Sequence, residues 1–193
     1  MLYRLSQSVH ADKFVLKGAM LFFTWECGTY RPTRDLDLLA RGDRSPSHVE
    51  EVFKALCAVG VEDDGLEFDA RSVRAEDIRE AQEYGGVRVQ LAVGLAQARL
   101  DLQVDVGFGD ALVPKPRKVE FSSLLDFPPA TIYAYRCETV ISEKFQAMVA
   151  LGIANSRMKD FYDLWVLARD FEFRGELLCR ALKATFRRRK TTI

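Results

Sequence analysis

Histidine is nearly missing from this chain: its 193 residues contain two, His10 and His48. The four cysteines, Cys27, Cys57, Cys137 and Cys179, stand far apart and form no Cys-x-x-Cys pair. Structural zinc sites need thiolates and imidazoles clustered at short spacing, so the pattern argues against such a site. Scattered cysteines of this kind read as buried thiols in a reducing cytosol. No apolar run approaches the ~20 residues that span a bilayer. Met1–His10 also lacks the apolar core of a signal peptide. The expectation is a cytoplasmic, soluble chain with no membrane partner. Net charge is missing too, since 28 Lys and Arg balance 28 Asp and Glu. The total therefore points to no partner, and only the distribution of charge carries information. Acids gather at Glu62–Asp64 and Glu67–Asp69, and Arg187–Lys190 forms a basic end. That basic end suits either a phosphate backbone or the solvated C-terminus of a helix. Internal repeats and low-complexity tracts are absent.

What is present is ordinary in bulk and specific in order. A 48% apolar fraction suits a globular protein, and the length suits one domain or two small ones. Proline-rich breaks fall at Pro114-Lys115-Pro116 and Pro128-Pro129. Strand and helix patterns mix before them, and helical patterns follow Tyr135. This predicts an α/β half over 1–112 and a mostly helical half over 113–193.

In the first half, Phe14–Leu16 reads as a strand, Gly18 as a turn, and Ala19–Cys27 as a buried helix stopped by Gly28. Arg34–Ala40 reads as the next strand. Ser45 or Ser47 is placed to cap a helix through Val49, Val52, Phe53, Leu56 and Cys57 that Gly60 ends. Leu66–Val73, Val87–Val93 and Arg99–Val106 read as strands. In the last of these Leu100, Leu102, Val104 and Val106 take one face, and Asp101, Gln103 and Asp105 the other. In the second half, helices are predicted over Glu138–Leu151, Asp160–Asp170 and Glu176–Phe186. The first carries an apolar stripe of Val140, Ile141, Phe145, Met148 and Val149. The second is predicted to bury Phe161, Leu164, Trp165 and Leu167.

The chemistry concentrates where a strand, a Lys17-Gly18 turn, an apolar helix and a second strand follow one another. Strand side chains alternate, so Asp35 and Asp37 project to one side about 7 Å apart. Two carboxylates at that spacing can share magnesium, which takes hard oxygen ligands from carboxylates and substrate phosphates. A two-metal arrangement activates an attacking oxygen and stabilises a leaving pyrophosphate. A third acid on a neighbouring strand completes the set, with Asp105 first choice and Asp101 second. Fifteen aspartates in 193 residues make roughly one Asp-x-Asp by chance, so the context carries this reading and the pair alone does not. Gly18 lets backbone approach a phosphate, and Ala19 begins a helix whose first N–H groups are unpaired. Lys17 adds charge there. In the second half, Lys144 could hold nucleotide phosphates and Asp160 could orient it, with Asp163 one turn on. From physics alone a surface lysine and a first-turn aspartate are the simpler account.

These blocks together resemble a family. Lys17–Leu21, then Arg31–Leu39, then Gln103–Asp110, then Glu143–Met148 with Arg157–Leu164 look like the AbiEii/MenT nucleotidyltransferase toxins, in family order over about residues 14–170. The resemblance implies an α+β fold. Its nucleotidyltransferase-like mixed β-sheet core is flanked by helices and followed by a C-terminal helical bundle. It implies the toxin of a toxin–antitoxin pair, paired with a cognate antitoxin. Such an enzyme adds nucleotides from a nucleoside triphosphate to the 3′ end of tRNA and so blocks translation. It implies Mg2+ or Mn2+ held by Asp35, Asp37 and Asp105. Asp35, Asp37, Lys144 and Asp160 are then catalytic, and Lys17, Gly18, Ala19 and Lys144 bind nucleotide. Thr33 matches a hydroxyl position phosphorylated in some relatives, and a phosphate there would set negative charge beside the carboxylates. Ala19 departs from the hydroxyl or second glycine that many nucleotidyltransferases carry. Two other readings stand beside this one. One is a nucleotidyltransferase acting on a protein or small-molecule acceptor, as in adenylylation. The other is a binding module without activity.

Overall fold

The computed structural model describes residues 1–25, 32–78, 85–123 and 125–192. In chain order the elements are α1 (Leu2–Ser6), β1 (Phe14–Lys17), α2 (Leu21–Thr24), β2 (Asp35–Ala40), α3 (Pro46–Cys57), β3 (Leu66–Phe68) and β4 (Arg74–Ile78). They continue as β5 (Gly86–Leu95), β6 (Ala98–Phe108), β7 (Arg117–Phe121), β8 (Ala130–Ala134), α4 (Cys137–Leu151), α5 (Met158–Asp170) and α6 (Gly175–Arg188). These form two compact units. The first takes the described residues up to 109 together with 118–123 and 125–134, and the second takes 110–117 and 135–192.

The first unit is a mixed sheet in the order β3-β5-β6-β2-β1-β8-β7, with β4 also on β5. β2 runs parallel to β6 and antiparallel to β1, and β8 runs parallel to β1. Register follows the apolar alternation. Leu36 stands beside Val104 and Leu38 beside Val106, all buried. α3 covers this face with Val49, Val52, Phe53 and Leu56, and the Phe53 ring meets Phe14 edge-on at 6.2 Å. The helix starts from Ser45 with Pro46 in its first turn, where a missing N–H costs nothing. It ends at Cys57, three residues before Gly60.

Several expectations need correction here. The helix expected from Ala19 is a 3-10 turn, Gly18–Met20, followed by the single α turn of α2. Its continuation to Cys27 and the stop at Gly28 lie outside the described residues. The strand expected over Leu66–Val73 breaks after Phe68. Asp69 accepts from Arg71 N, and the Ser72 hydroxyl donates to Asp69 O and accepts from Ala92 N. This local turn competes with the ladder, and pairing to β5 resumes at β4. Leu100, expected on the apolar face of its strand, is 49% exposed although its cross-strand partner Val93 is buried. Cys179 is exposed and Cys57 and Cys137 are half-buried, so the expected buried thiols are not found at the described cysteines. Cys27 lies outside the described residues.

The second unit packs α4 against both α5 and α6. Its buried residues include Val140, Ser142 and Gln146 of α4, Val166 and Leu167 of α5, and Ala181, Thr185 and Phe186 of α6. The expected stripes are therefore rotated. Phe145 and Val149 of α4 are exposed, and so are Phe161 and Trp165 of α5, while Leu164 is half-buried. The cause is an ion cluster, described below, that turns the acidic edge of α5 toward α4.

Candidate active site

The polar face of the first unit is built by strand register. Lys17 stands opposite Asp37, Asp37 beside Asp105, and Asp105 opposite Arg88. One pair along, Asp35 stands beside Gln103, and Gln103 opposite Gln90. Residues paired directly across a sheet share a face. Four strands thus bring three acids, a lysine and an arginine into two adjacent rows, while Leu36, Leu38, Val104 and Val106 occupy the other face.

Hydrogen bonds fix these acids relative to each other. Arg88 grips Asp105 with both prongs, Nε to Oδ1 at 2.9 Å and its second nitrogen to Oδ2 at 2.8 Å. Such a two-pronged guanidinium–carboxylate contact sets orientation as well as charge. The Gln103 amide donates to Asp35 Oδ1 at 3.1 Å and reaches Asp105 Oδ1 at 3.4 Å, tying the two strands' acids together. Thr33 Oγ1 donates to Asp35 O at 3.3 Å, which places this hydroxyl at the entry to β2. Asp101 pairs with Ala92 beyond the stretch of β6 that runs beside β2, so the second choice for a third acid lies off the row.

Gly18 closes the other side. Its φ is +69°, and a Cβ built there would fall 2.0 Å from Asp37 Oδ2. The turn after β1 therefore lies against the Asp37 carboxylate with no side chain between them. Ala19 is buried behind it.

Among the described residues, no three His, Cys, Asp or Glu side chains are placed to hold a metal ion together. Asp35 and Asp37 nonetheless fit magnesium in chemistry. It is commonly held by one or two carboxylates completed by substrate phosphates, and the Gly18 turn leaves Asp37 reachable by backbone alone. Both Asp105 oxygens are taken by Arg88.

In the second unit, Lys144 Nζ lies 2.7 Å from Asp160 Oδ1 and 2.8 Å from Asp163 Oδ2. The Lys144 side chain is 13% exposed and that of Asp163 1%. One cation thus sits between two carboxylates in a largely water-free place. The basic C-terminus also turns partly inward. Arg189 donates to Gln146 Oε1 at 2.8 Å and contacts Asp110 and Glu143 at 3.5 and 3.8 Å. Arg31, which opens one of the blocks that carry the family resemblance, lies outside the described residues.

Sequence reasoning missed Arg88 and did not assign Asp163. The alternation Val87, Val89, Leu91 puts Arg88 on a polar face, but only the hairpin register sets it opposite Asp105. Asp163 was visible one turn after Asp160, and burial is what makes it a partner of Lys144.

Solved structures share this fold. JHP933 from Helicobacter pylori is 16% identical over 96% of this chain and 73% of its own, with a TM-score of 0.57. A putative nucleotidyltransferase from H. pylori is 16% identical over 96% and 72%, at 0.58. An antigenic nucleotidyltransferase-like protein from Paracoccidioides brasiliensis is 11% identical over 98% and 87%, at 0.54. The fold is thus α+β and nucleotidyltransferase-like, with helices following the sheet. Residues 1–193 match the family described as nucleotidyl transferase AbiEii toxin, type IV TA system, and the chain belongs to that family. Membership brings a nucleoside triphosphate substrate and an antitoxin counterpart. No curated protein matches the chain. No helix of the described residues is long and apolar enough to cross a membrane.

Proposed function

We propose that this chain is the toxin of its pair and transfers nucleotidyl groups from a nucleoside triphosphate to the 3′ end of tRNA. A tRNA so extended is no longer aminoacylated, and translation stops. The observation that carries the reading is the Asp35–Asp37 pair on the polar face of β2, with Asp37 against the bare backbone of Gly18.

In this reading Asp35 and Asp37 hold magnesium, or manganese, which when bound supplies charge neutralisation at the phosphates. Asp105 is the third acid of the row, and Arg88 and Gln103 set its direction. Lys17 and the backbone of Gly18 and Ala19 take phosphate oxygens. Lys144 is the nucleotide-binding cation of the second unit, held extended by Asp160 with Asp163 behind. Thr33 is the site where phosphorylation would silence the enzyme, since the added charge would fall two residues from Asp35.

The test is direct. Purified protein is incubated with total tRNA, magnesium and each labelled nucleoside triphosphate in turn. Label should enter RNA with at least one nucleotide, vanish with a chelator, and vanish in Asp35→Ala and Asp37→Ala. Label in a protein band with none in RNA would remove the tRNA reading. Undiminished activity in Asp35→Ala would remove the site.

A further inference from the structure

The outward stripe of α5 carries rings where a solvated helix face needs none. Met158, Phe161 and Trp165, spaced i, i+3, i+7, are 71%, 40% and 52% exposed. Tyr162 borders them, its ring 6.0 Å from that of Trp165. Arg169, one turn on, lays its guanidinium 4.3 Å from the indole centre, and Asp170 holds it there with contacts of 2.5 and 2.7 Å. Arg157 and Lys159 stand exposed where the helix begins. The two carboxylates of its first half, Asp160 and Asp163, turn inward to Lys144. The stripe therefore bears rings and cations, and the acid at its far end, Asp170, is paired with Arg169.

We infer that this face is a stacking platform for unpaired RNA. The indole of Trp165 and the ring of Phe161 take the faces of successive bases, and Arg157 and Lys159 take the phosphates between them. Stacking tolerates any base, because every base has a π-face, and cations beside the rings follow the backbone. Exposed rings with the cations Arg157 and Lys159 at one end suit a polyanion better than an apolar protein segment. The inference rests on the reading that the acceptor is RNA, and it adds where in the second unit a single strand is held.

The test is anisotropy of a fluorescent unpaired RNA of about ten nucleotides with the full chain, at several salt concentrations. Trp165→Ala should weaken binding about tenfold, the worth of one lost stack. Trp165→Phe should stay within about threefold of wild type, because a ring remains. The slope of log affinity against log salt should be unchanged in Trp165→Ala, since no phosphate contact is lost. A duplex of the same sequence should bind more weakly than the strand. Circular dichroism melts check that the variants fold. Equal affinity of wild type and Trp165→Ala overturns the platform. So does a Trp165→Ala variant that changes self-association in sedimentation and leaves RNA affinity alone, which would give the face to a second copy. Labelling of tRNA by wild type, measured alongside, separates the two claims. Labelling with Trp165-independent binding overturns the platform alone, and Trp165-dependent binding without labelling overturns the tRNA reading alone.

Discussion

At position 18 two constraints meet in one residue. The backbone takes φ +69°, where an L side chain is strained, and a Cβ would overlap Asp37 Oδ2 at 2.0 Å. Gly152 offers a control, since its φ is +53° and nothing lies within 4 Å of its would-be Cβ. Gly152→Ala should cost only the conformational term, about 1–3 kcal/mol, for a backbone at φ +53° and ψ −134°. Gly18→Ala should cost more, roughly 2–4 kcal/mol, because Asp37 must also move. It should also abolish nucleotidyl transfer, which Gly152→Ala should spare. Urea unfolding of both variants measures the difference. Equal losses would show that the contact with Asp37 is not what demands glycine. This much was legible in the sequence, because Lys17-Gly18 and Asp35-Leu36-Asp37 are local patterns. Arg88 was not, since its partner Asp105 is 17 residues away and only the strand register joins them.

At the scale of elements, periodicity found the helices and misjudged their faces. The α5 sequence reads as if Phe161 and Trp165 were core. The chain instead buries Asp163, Val166 and Leu167 and leaves both rings exposed. The reason is Lys144. A cation largely removed from water needs opposite charge around it, and turning the apolar stripe inward would leave it unpaired at a cost of several kcal/mol. Exposing two rings costs less, on the order of 1.5–3 kcal/mol each when fully exposed, and neither ring is fully exposed. Lys144→Met should therefore destabilise strongly, by about 3–5 kcal/mol, because Asp160 and Asp163 then face each other without a counter-charge. Adding Asp163→Asn to Lys144→Met should restore part of the loss, so the two changes should not sum. Urea midpoints of the three variants test this, and simple additivity would argue against a single ion cluster. Strands β4, β7 and β8 escaped the sequence reading for a related reason. In β4 and β7 the outward charges of Arg74, Glu76, Asp77, Arg117, Lys118 and Glu120 leave too few apolar positions to show a period, and β8 follows two prolines that read as loop.

Over the whole molecule, pH should act from both ends through buried or paired groups. On the acid side, the hydrogen bond from Arg4 holds the Asp64 carboxyl below its usual range, and Lys54 does the same for Glu50. A depressed carboxyl stabilises the fold above its unfolded value and loses that contribution as pH falls through the folded one, so this loss lies below about pH 4. On the alkaline side, burial raises the Tyr135 phenol well above 10, and Glu143 and Asp110 push it further. The hydroxyl lies 3.2 and 3.0 Å from those two carboxylates. The unfolded chain gives up this proton near pH 10 while the folded chain keeps it. Stability from this group is thus complete below that value and declines as pH rises through it. Melting temperature should plateau between about pH 5 and 9 and fall on both sides. Tyr135→Phe separates the two limbs. It should lower the plateau, because Asp110 and Glu143 lose the hydroxyl between them. It should also flatten the alkaline limb relative to wild type and leave the acid limb in place, since Asp64 and Glu50 are untouched. Thermal melts by circular dichroism from pH 3 to 11 read all three features. An alkaline limb as steep in Tyr135→Phe as in wild type would assign that loss to other groups and free Tyr135 from the account.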